Sequence, residues 1–475
     1  MPALVALGLT VSLGVAVAGT SALGAPALDR SIAKGSPGHW TKISSSTVDT
    51  IYEASMVRTA DGVLHVVYPR KTAAAGNPVT LAHTSLTSNG ATIRQNDVLP
   101  TGWATMDNAP VVVNGASGPH VIFGGQLDTA SGFFDSGRMF MADATSDSGA
   151  TWTLPAQNVG VSNAAYGSYG TSAVELADGT PVAAFPLNET ITWHVGTGPG
   201  ADGSFSVPGA SLYDTTMVRD GSNVWIGWFA YGSTAATTGI FARQILPSVG
   251  PVLKAPGSSQ GTNTLKLGRV ALAARAGGGV YEAYCVGYAT CSKVRVWKVG
   301  TSKTADVPHS HLAETVALSA GPSGRLWVAW SDNLPKVRAV RTGVNGLAMG
   351  AVQNVGIPSG HPSVYSLVLE GSRGRGDIVV NVGDGFWHTQ VFAGLTLHAS
   401  PSKWRHGSRQ RVVFTVTDAH AAVKNANVKV GSSRCTTGNR GTCAITFPRT
   451  LGAGKHNATA SRKGYAKAIV TLKVR

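Results

Sequence analysis

The chain has 475 residues, 59 of them glycine and 23 proline, with 13% charged and 43% apolar side chains, and it carries 11 Trp, 11 Tyr and 12 Phe. That content excludes a disordered chain, and glycine with β-branched residues inside most apolar runs excludes long helices. The net charge of +15 is confined to the end: from Thr396 to Arg475 fifteen Lys and Arg stand against one acid, Asp418, while the preceding 395 residues hold 24 basic and 23 acidic side chains. Any charge argument for a polyanionic partner therefore concerns this basic module alone.

Residues 1–28 are apolar and uncharged up to Asp29. The segment reads as a signal peptide, with the small residues Ala22, Gly24, Ala25 and Ala27 near its end, or as an uncleaved membrane anchor. Four cysteines in two close pairs, Cys285 with Cys291 and Cys435 with Cys443, agree with export, since each spacing suits a disulfide across a hairpin. No Cys-x-x-Cys occurs and neither pair supplies enough ligands for zinc, so neither a metal nor a cofactor is expected.

Between about Ser45 and Gly394 the sequence repeats a plan of turn followed by apolar run. Examples are Val63-Leu-His-Val-Val-Tyr after Asp61-Gly62, Val224-Trp-Ile-Gly-Trp after Asn223 and Arg325-Leu-Trp-Val-Ala-Trp after Gly324. Counted at Gly62, Gly118, Gly179, Asn223, Gly278, Gly324 and Gly376, the intervals are 56, 61, 44, 55, 46 and 52 residues. A period of about 50 with several short strands per unit is that of a β-propeller, of six or seven blades with seven favoured. The tail, residues 396–475, alternates apolar and polar positions in five short runs and reads as a small immunoglobulin-like β-sandwich, with Cys435 and Cys443 stapling one of its hairpins.

One unit contains Thr145-Ser-Asp147-Ser-Gly149-Ala-Thr151-Trp152, which matches the Asp-box pattern of a capped tight turn followed by a packing Trp. With the periodicity, this segment resembles the sialidase-like, or BNR-repeat, propellers over residues 45–394. The resemblance implies an extracellular glycan as partner and places the family's functional residues on the inner strands. Two of those positions depart from the pattern. Tyr52 in Ile51-Tyr52-Glu53-Ala54 stands where the family has the Arg that grips a sialate carboxylate, and Gly170 stands where it has the Glu that polarises the nucleophile. Val364-Tyr365-Ser366-Leu367 resembles, with one residue short, the family's Tyr-Ser-Ser-Leu segment, and that resemblance implies Tyr365 as the nucleophilic tyrosine. A clamp without its Arg and a nucleophile without its base lose several kcal/mol of transition-state stabilisation, which argues against ordinary sialate hydrolysis.

Residues about ten before each turn converge on the central funnel of a propeller, which brings forward Tyr52, Asn108, Tyr169, Tyr213 and Arg269 as ligand-binding residues. Tyrosine faces suit pyranose C–H groups and the polar ends suit hydroxyls, although the same tyrosines also suit a packed inner wall. For a catalytic alternative, an exo-acting glycoside hydrolase or a uronate lyase, the candidates are Tyr365, Glu314 and Asp214, with Glu53 and Asp107 as further carboxylates. Arg70 and Arg275 are further cations, and His309, His311 and His361 are isolated histidines.

The sequence thus points to a monomeric bacterial protein, secreted or associated with the cell surface. Its propeller binds an extracellular glycan, and its basic module holds an anionic cell-envelope polymer. No recognition helix or aromatic–cation stripe marks the module for a specific nucleic acid.

Overall fold

The computed structural model describes residues 39–44, 48–71, 79–98, 105–106, 109–115, 118–126, 139–146, 148–156, 171–196, 201–258, 269–287, 291–333 and 336–475. The turns marked in the sequence join the innermost and second strands of successive antiparallel sheets. Gly62 takes a φ of +92° between strands Ser55–Arg58 and Leu64–Lys71, and Gly179 takes +88° between Ser172–Glu175 and Pro181–Leu187. A Cβ is disfavoured in that conformation, which is why glycine sets the period.

Among the described residues, seven such sheets follow one another. Their innermost strands are Ser55–Arg58, Val111–Asn114, Ser172–Glu175, Ala210–Asp220, Ala271–Ala274, Ala313–Ala320 and Ser366–Glu370. Each contacts the next and the last returns to the first, closing a β-propeller around a central channel. The second strands Leu326–Asp332 and Gly376–Asn381 are buried at every position, because neighbouring sheets cover both faces; their sequences are accordingly near-continuous apolar runs.

The ring closes with the start of the chain. Thr41–Lys42 pairs antiparallel with Phe386–Val391, Thr41 opposite His388 and Lys42 opposite Trp387, so the outer strand of the last sheet precedes Ser45, where the repeat signal begins. A buried polar group fastens the same seam. Arg58, 2% exposed at its side chain, donates to Glu370 at 2.8 Å and to Asp377 at 2.5 Å, and Asp377 also meets His388 at 2.9 Å and accepts from Gln390 at 2.8 Å. Buried charge is tolerated here because nearly every lone pair of Asp377 has a partner.

Residues 396–475 form two packed sheets. One contains Thr396–Ser400, Gln410–Asp418, Ala421–Ala422 and Thr442–Phe447; the other runs in the order Lys403–Trp404, Ala468–Val474, Gly454–Ser461, Asn427–Val430, Ser433–Thr436. Trp404 stacks on Phe447 at 5.5 Å in a core with Val412, Phe414 and Leu472. Both disulfides are formed, with Cα–Cα distances of 5.2 and 5.9 Å. Cys285–Cys291 closes a hairpin, as its spacing suggests. Cys435–Cys443 does not staple a hairpin: Cys435 lies in Ser433–Thr436 of one sheet and Cys443 in Thr442–Phe447 of the other, so the bond ties the two layers. The intervening turn, with Gly441 at φ +70°, carries the chain across the sandwich, a change of layer that residue spacing does not reveal.

The sandwich is docked on the propeller. Ala393–Gly394 pairs parallel with Tyr465–Ala466, and Asp418, 2% exposed at its side chain, meets Arg341 at 2.5 Å and Arg325 at 3.3 Å from the sixth sheet. Tyr465 lies under the Arg341 guanidinium at 5.3 Å. Among the described residues no helix is long and apolar enough to cross a membrane.

Candidate ligand site at the channel mouth

All seven innermost strands line a cavity of about 310 Å³. Its wall is mostly small or aliphatic, with Val112, Ala173, Met217, Leu272 and Leu367 among the lining residues, and charge enters it at Glu53, Arg269 and Glu314. These three residues lie at or near the first ends of their inner strands, on the first, fifth and sixth sheets.

Arg269 spans the mouth. Its Nη2 donates to the carbonyls of Ala109 and Pro110, the latter at 2.8 Å, and its Nε donates to the carbonyl of Thr171 at 3.4 Å. Its Nη1 lies 3.9 Å from Glu53, and both side chains are largely buried, 15% and 12% exposed. One side chain from the fifth sheet thereby joins the first, second and third. The bonds to carbonyls occupy three of the five guanidinium donors, and the remaining nitrogen faces Glu53, which leaves no free fork for a ligand carboxylate.

Of the sequence candidates, Glu53, Arg269 and Glu314 come together on the cavity. Tyr52 is 1% exposed and packs between the first and last sheets with Tyr68 and Phe386; burial first, and the nearby Asp49 second, push its hydroxyl up to about 12. Tyr213 stacks on Phe229 with ring centroids 6.2 Å apart. Asp214 is 2% exposed and takes a φ of +57°, and its carbonyl accepts from the Val270 amide at 2.9 Å. The Tyr365 ring lies against the Gly383 turn, where an added Cβ would stand 3.1 Å from it, while the next residue, Ser366, donates to the Tyr52 carbonyl at 3.0 Å. Asp107, Asn108, Tyr169, Gly170 and Asp147 lie outside the described residues.

The remaining candidates serve other contacts. Arg275 reaches the Val344 carbonyl at 2.7 Å, His361 packs edge-on to Trp387, and His309 and His311 are exposed. Among the described lining residues the tyrosine is Tyr284, which donates to the Pro256 carbonyl at 2.7 Å and whose hydroxyl is pushed upward by burial. The sequence reading missed it because Tyr284 belongs to a second strand, not an inner one. Among the described residues there is no group of three metal-binding side chains.

The segment around Gly149 and Trp152 packs at the boundary of the first two sheets. The Gly149 amide donates to Ser146 Oγ at 2.9 Å, and Trp152 joins a cluster with Val67, Leu81, Val112 and Phe123. Gly149 sits on His83, whose Nε2 is 3.0 Å from His65 Nδ1 and whose Nδ1 is 2.8 Å from Asn96.

No family model matches the sequence, and no curated protein matches it. Among solved structures, a polysaccharide lyase is 9% identical with a TM-score of 0.44, covering 75% of this chain and 99% of its own. The intramolecular trans-sialidase of Ruminococcus gnavus is 8% identical with a TM-score of 0.40, covering 75% and 97%. The α-L-arabinanase of Penicillium chrysogenum is 10% identical with a TM-score of 0.41, covering 74% and 98%. The propeller assignment rests on this chain's own ring of sheets.

Proposed function

We propose that this protein is an extracellular glycan-binding propeller that takes a hydroxyl-rich sugar at the channel mouth and uses its basic sandwich to stay on an anionic envelope polymer. The observation that carries the reading is the placement of Glu53 and Glu314 on one cavity whose arginine is already engaged. Carboxylates accept several hydrogen bonds from sugar hydroxyls, whereas Arg269, bonded to three carbonyls, has little left for a carboxylate-bearing sugar. The apolar leader-like stretch before Asp29 and the two disulfides support an extracellular setting.

A panel of immobilised neutral and acidic glycans, probed with the full chain and with Glu314→Gln, tests this reading. Retention of neutral oligosaccharides by the parent and loss in the variant support it; retention confined to sialylated glycans contradicts it.

The second reading, glycoside hydrolysis, is favoured by one specific feature, the two carboxylates on the same cavity, which is the residue set that acid/base cleavage of a glycosidic bond needs. Release of reducing sugar from a retained glycan, abolished by Glu53→Gln, favours it over binding.

A further inference from the structure

The sole acidic side chain of residues 396–475, Asp418, is buried against Arg341 and Arg325 of the propeller. The fifteen Lys and Arg of the sandwich therefore face solvent and one another without an acid of their own module at the surface.

Strand register arranges five of these cations on the outer face of the five-stranded sheet. Lys403 is opposite Lys473, and Lys473 is opposite Lys455, so three lysines stand in one row across three adjacent strands. Four residues along, Lys429 is opposite Arg434 on the remaining two strands. Thr459, opposite both Lys429 and Ile469, fixes the offset between the rows. Burial alternates accordingly: Trp404, Leu472, Val474, Ala458, Val428 and Val430 point inward, so these cations point outward. The result is one outward cation per strand, a stripe about 19 Å wide at the usual strand spacing.

Like charges directly opposite each other destabilise a sheet, and this face holds three such pairs with no neutralising neighbour from its own module. A ligand of opposite charge relieves that repulsion. Between the two rows lies a polar saddle of Asn457 and Thr471, 3.0 Å apart, with Thr459 beside it. The face carries no aromatic ring on which a nucleobase would stack, and its one exposed large apolar side chain, Ile469, is too little to enter a bilayer.

Resting on the reading of the sandwich as an attachment module, we infer that the Lys403–Lys473–Lys455–Lys429–Arg434 stripe is the docking face for a linear acidic polysaccharide bearing a carboxylate on each sugar. The lysines meet the carboxylates as point charges, and Asn457, Thr459 and Thr471 meet the hydroxyls.

The test uses the full chain and polygalacturonate, with affinity measured at low and raised salt. Lys455→Glu/Lys473→Glu is compared with Arg411→Glu/Arg449→Glu, which changes the charge equally but lies on the other sheet and its adjoining turn. The inference expects salt-sensitive binding by the parent, weakened about tenfold or more by the first pair and much less by the second. Equal loss in both variants overturns the stripe while leaving attachment by diffuse charge intact. No binding of any polyanion by the parent overturns both the stripe and the attachment reading. Equal affinity for single-stranded DNA with the same dependence on Lys455 and Lys473 overturns the assignment to a polysaccharide. Matched thermal unfolding of the two variants establishes that each is folded.

Discussion

The carboxylate of Asp418 and the guanidinium of Arg341 lie 2.5 Å apart, both almost wholly buried, and this contact joins the sandwich to the sixth sheet of the propeller. Breaking one side of a buried pair leaves an uncompensated charge, here two, since Arg325 is also within 3.3 Å. Asp418→Asn is expected to destabilise the interface by about 3–5 kcal/mol. Calorimetry is the readout: the variant is expected to unfold in two separated transitions, with the sandwich no longer coupled to the propeller.

Gly149→Ala probes the turn seated on His83. The glycine has a φ of +73°, and an added Cβ would fall 2.4 Å from the buried His83 ring. Strain and overpacking together predict a loss of about 1–3 kcal/mol in chemical denaturation, with glycan binding retained because the turn lies outside the channel.

Two buried groups tilt stability with pH in opposite directions. Burial, opposed by the hydrogen bond to Asn96, holds His83 down to about 4 from its ordinary 6.5, and burial lowers His65 as well. Above pH 6.5 His83 is neutral folded or unfolded and contributes no slope. As pH falls from 6.5 to about 4, the unfolded chain takes up a proton that the native state refuses, and stability drops by on the order of 3 kcal/mol.

Glu282 behaves oppositely. It is fully buried with neither carboxyl oxygen hydrogen-bonded to any described residue, and burial raises its pKa well above the ordinary 4.5, so the native state keeps the proton that the unfolded chain releases. Its contribution therefore falls as pH rises above 4.5. Glu282→Gln is expected to gain melting temperature over the parent progressively from pH 5 to pH 8; a constant difference across that range contradicts the assignment.

The ring was legible in the sequence because the feature that sets it is local: a glycine at positive φ must stand between the innermost and second strands, as at Gly62 and Gly179. The direction of side chains was less so. Tyr52 and Glu53 are adjacent in the segment leading into Ser55–Arg58, yet one is buried in the core and the other lines the channel. Counting back from a turn does not fix which is which, particularly where the ladder shifts register, as it does between Tyr213 and Thr216 around the left-handed Asp214. Arg269 was visible as a cation near an inner strand, but its bonds to Ala109, Pro110 and Thr171 arise only when three sheets meet. The closing strand Thr41–Lys42 is two residues long and has no periodic signature at all.

Replacement of Arg269 separates its bridging role from ligand binding. Arg269→Lys retains the charge but cannot span three carbonyls, so it is expected to lower the melting temperature and loosen the channel mouth while leaving the charge near Glu53 unchanged. Hydrogen exchange at the amides of Val111, Ser172 and Ala271 is the check, with faster exchange in the variant.

Whether the channel mouth binds a sugar through Glu53 and Glu314 is decided by calorimetric titration of the retained oligosaccharide against the full chain and Glu314→Gln. Saturable one-site binding is expected, with the oligosaccharide recovered intact and affinity weakened about tenfold in the variant, the scale of losing a charge-assisted hydrogen bond. Equal affinity in the two proteins would contradict it, since the ligand would then sit elsewhere.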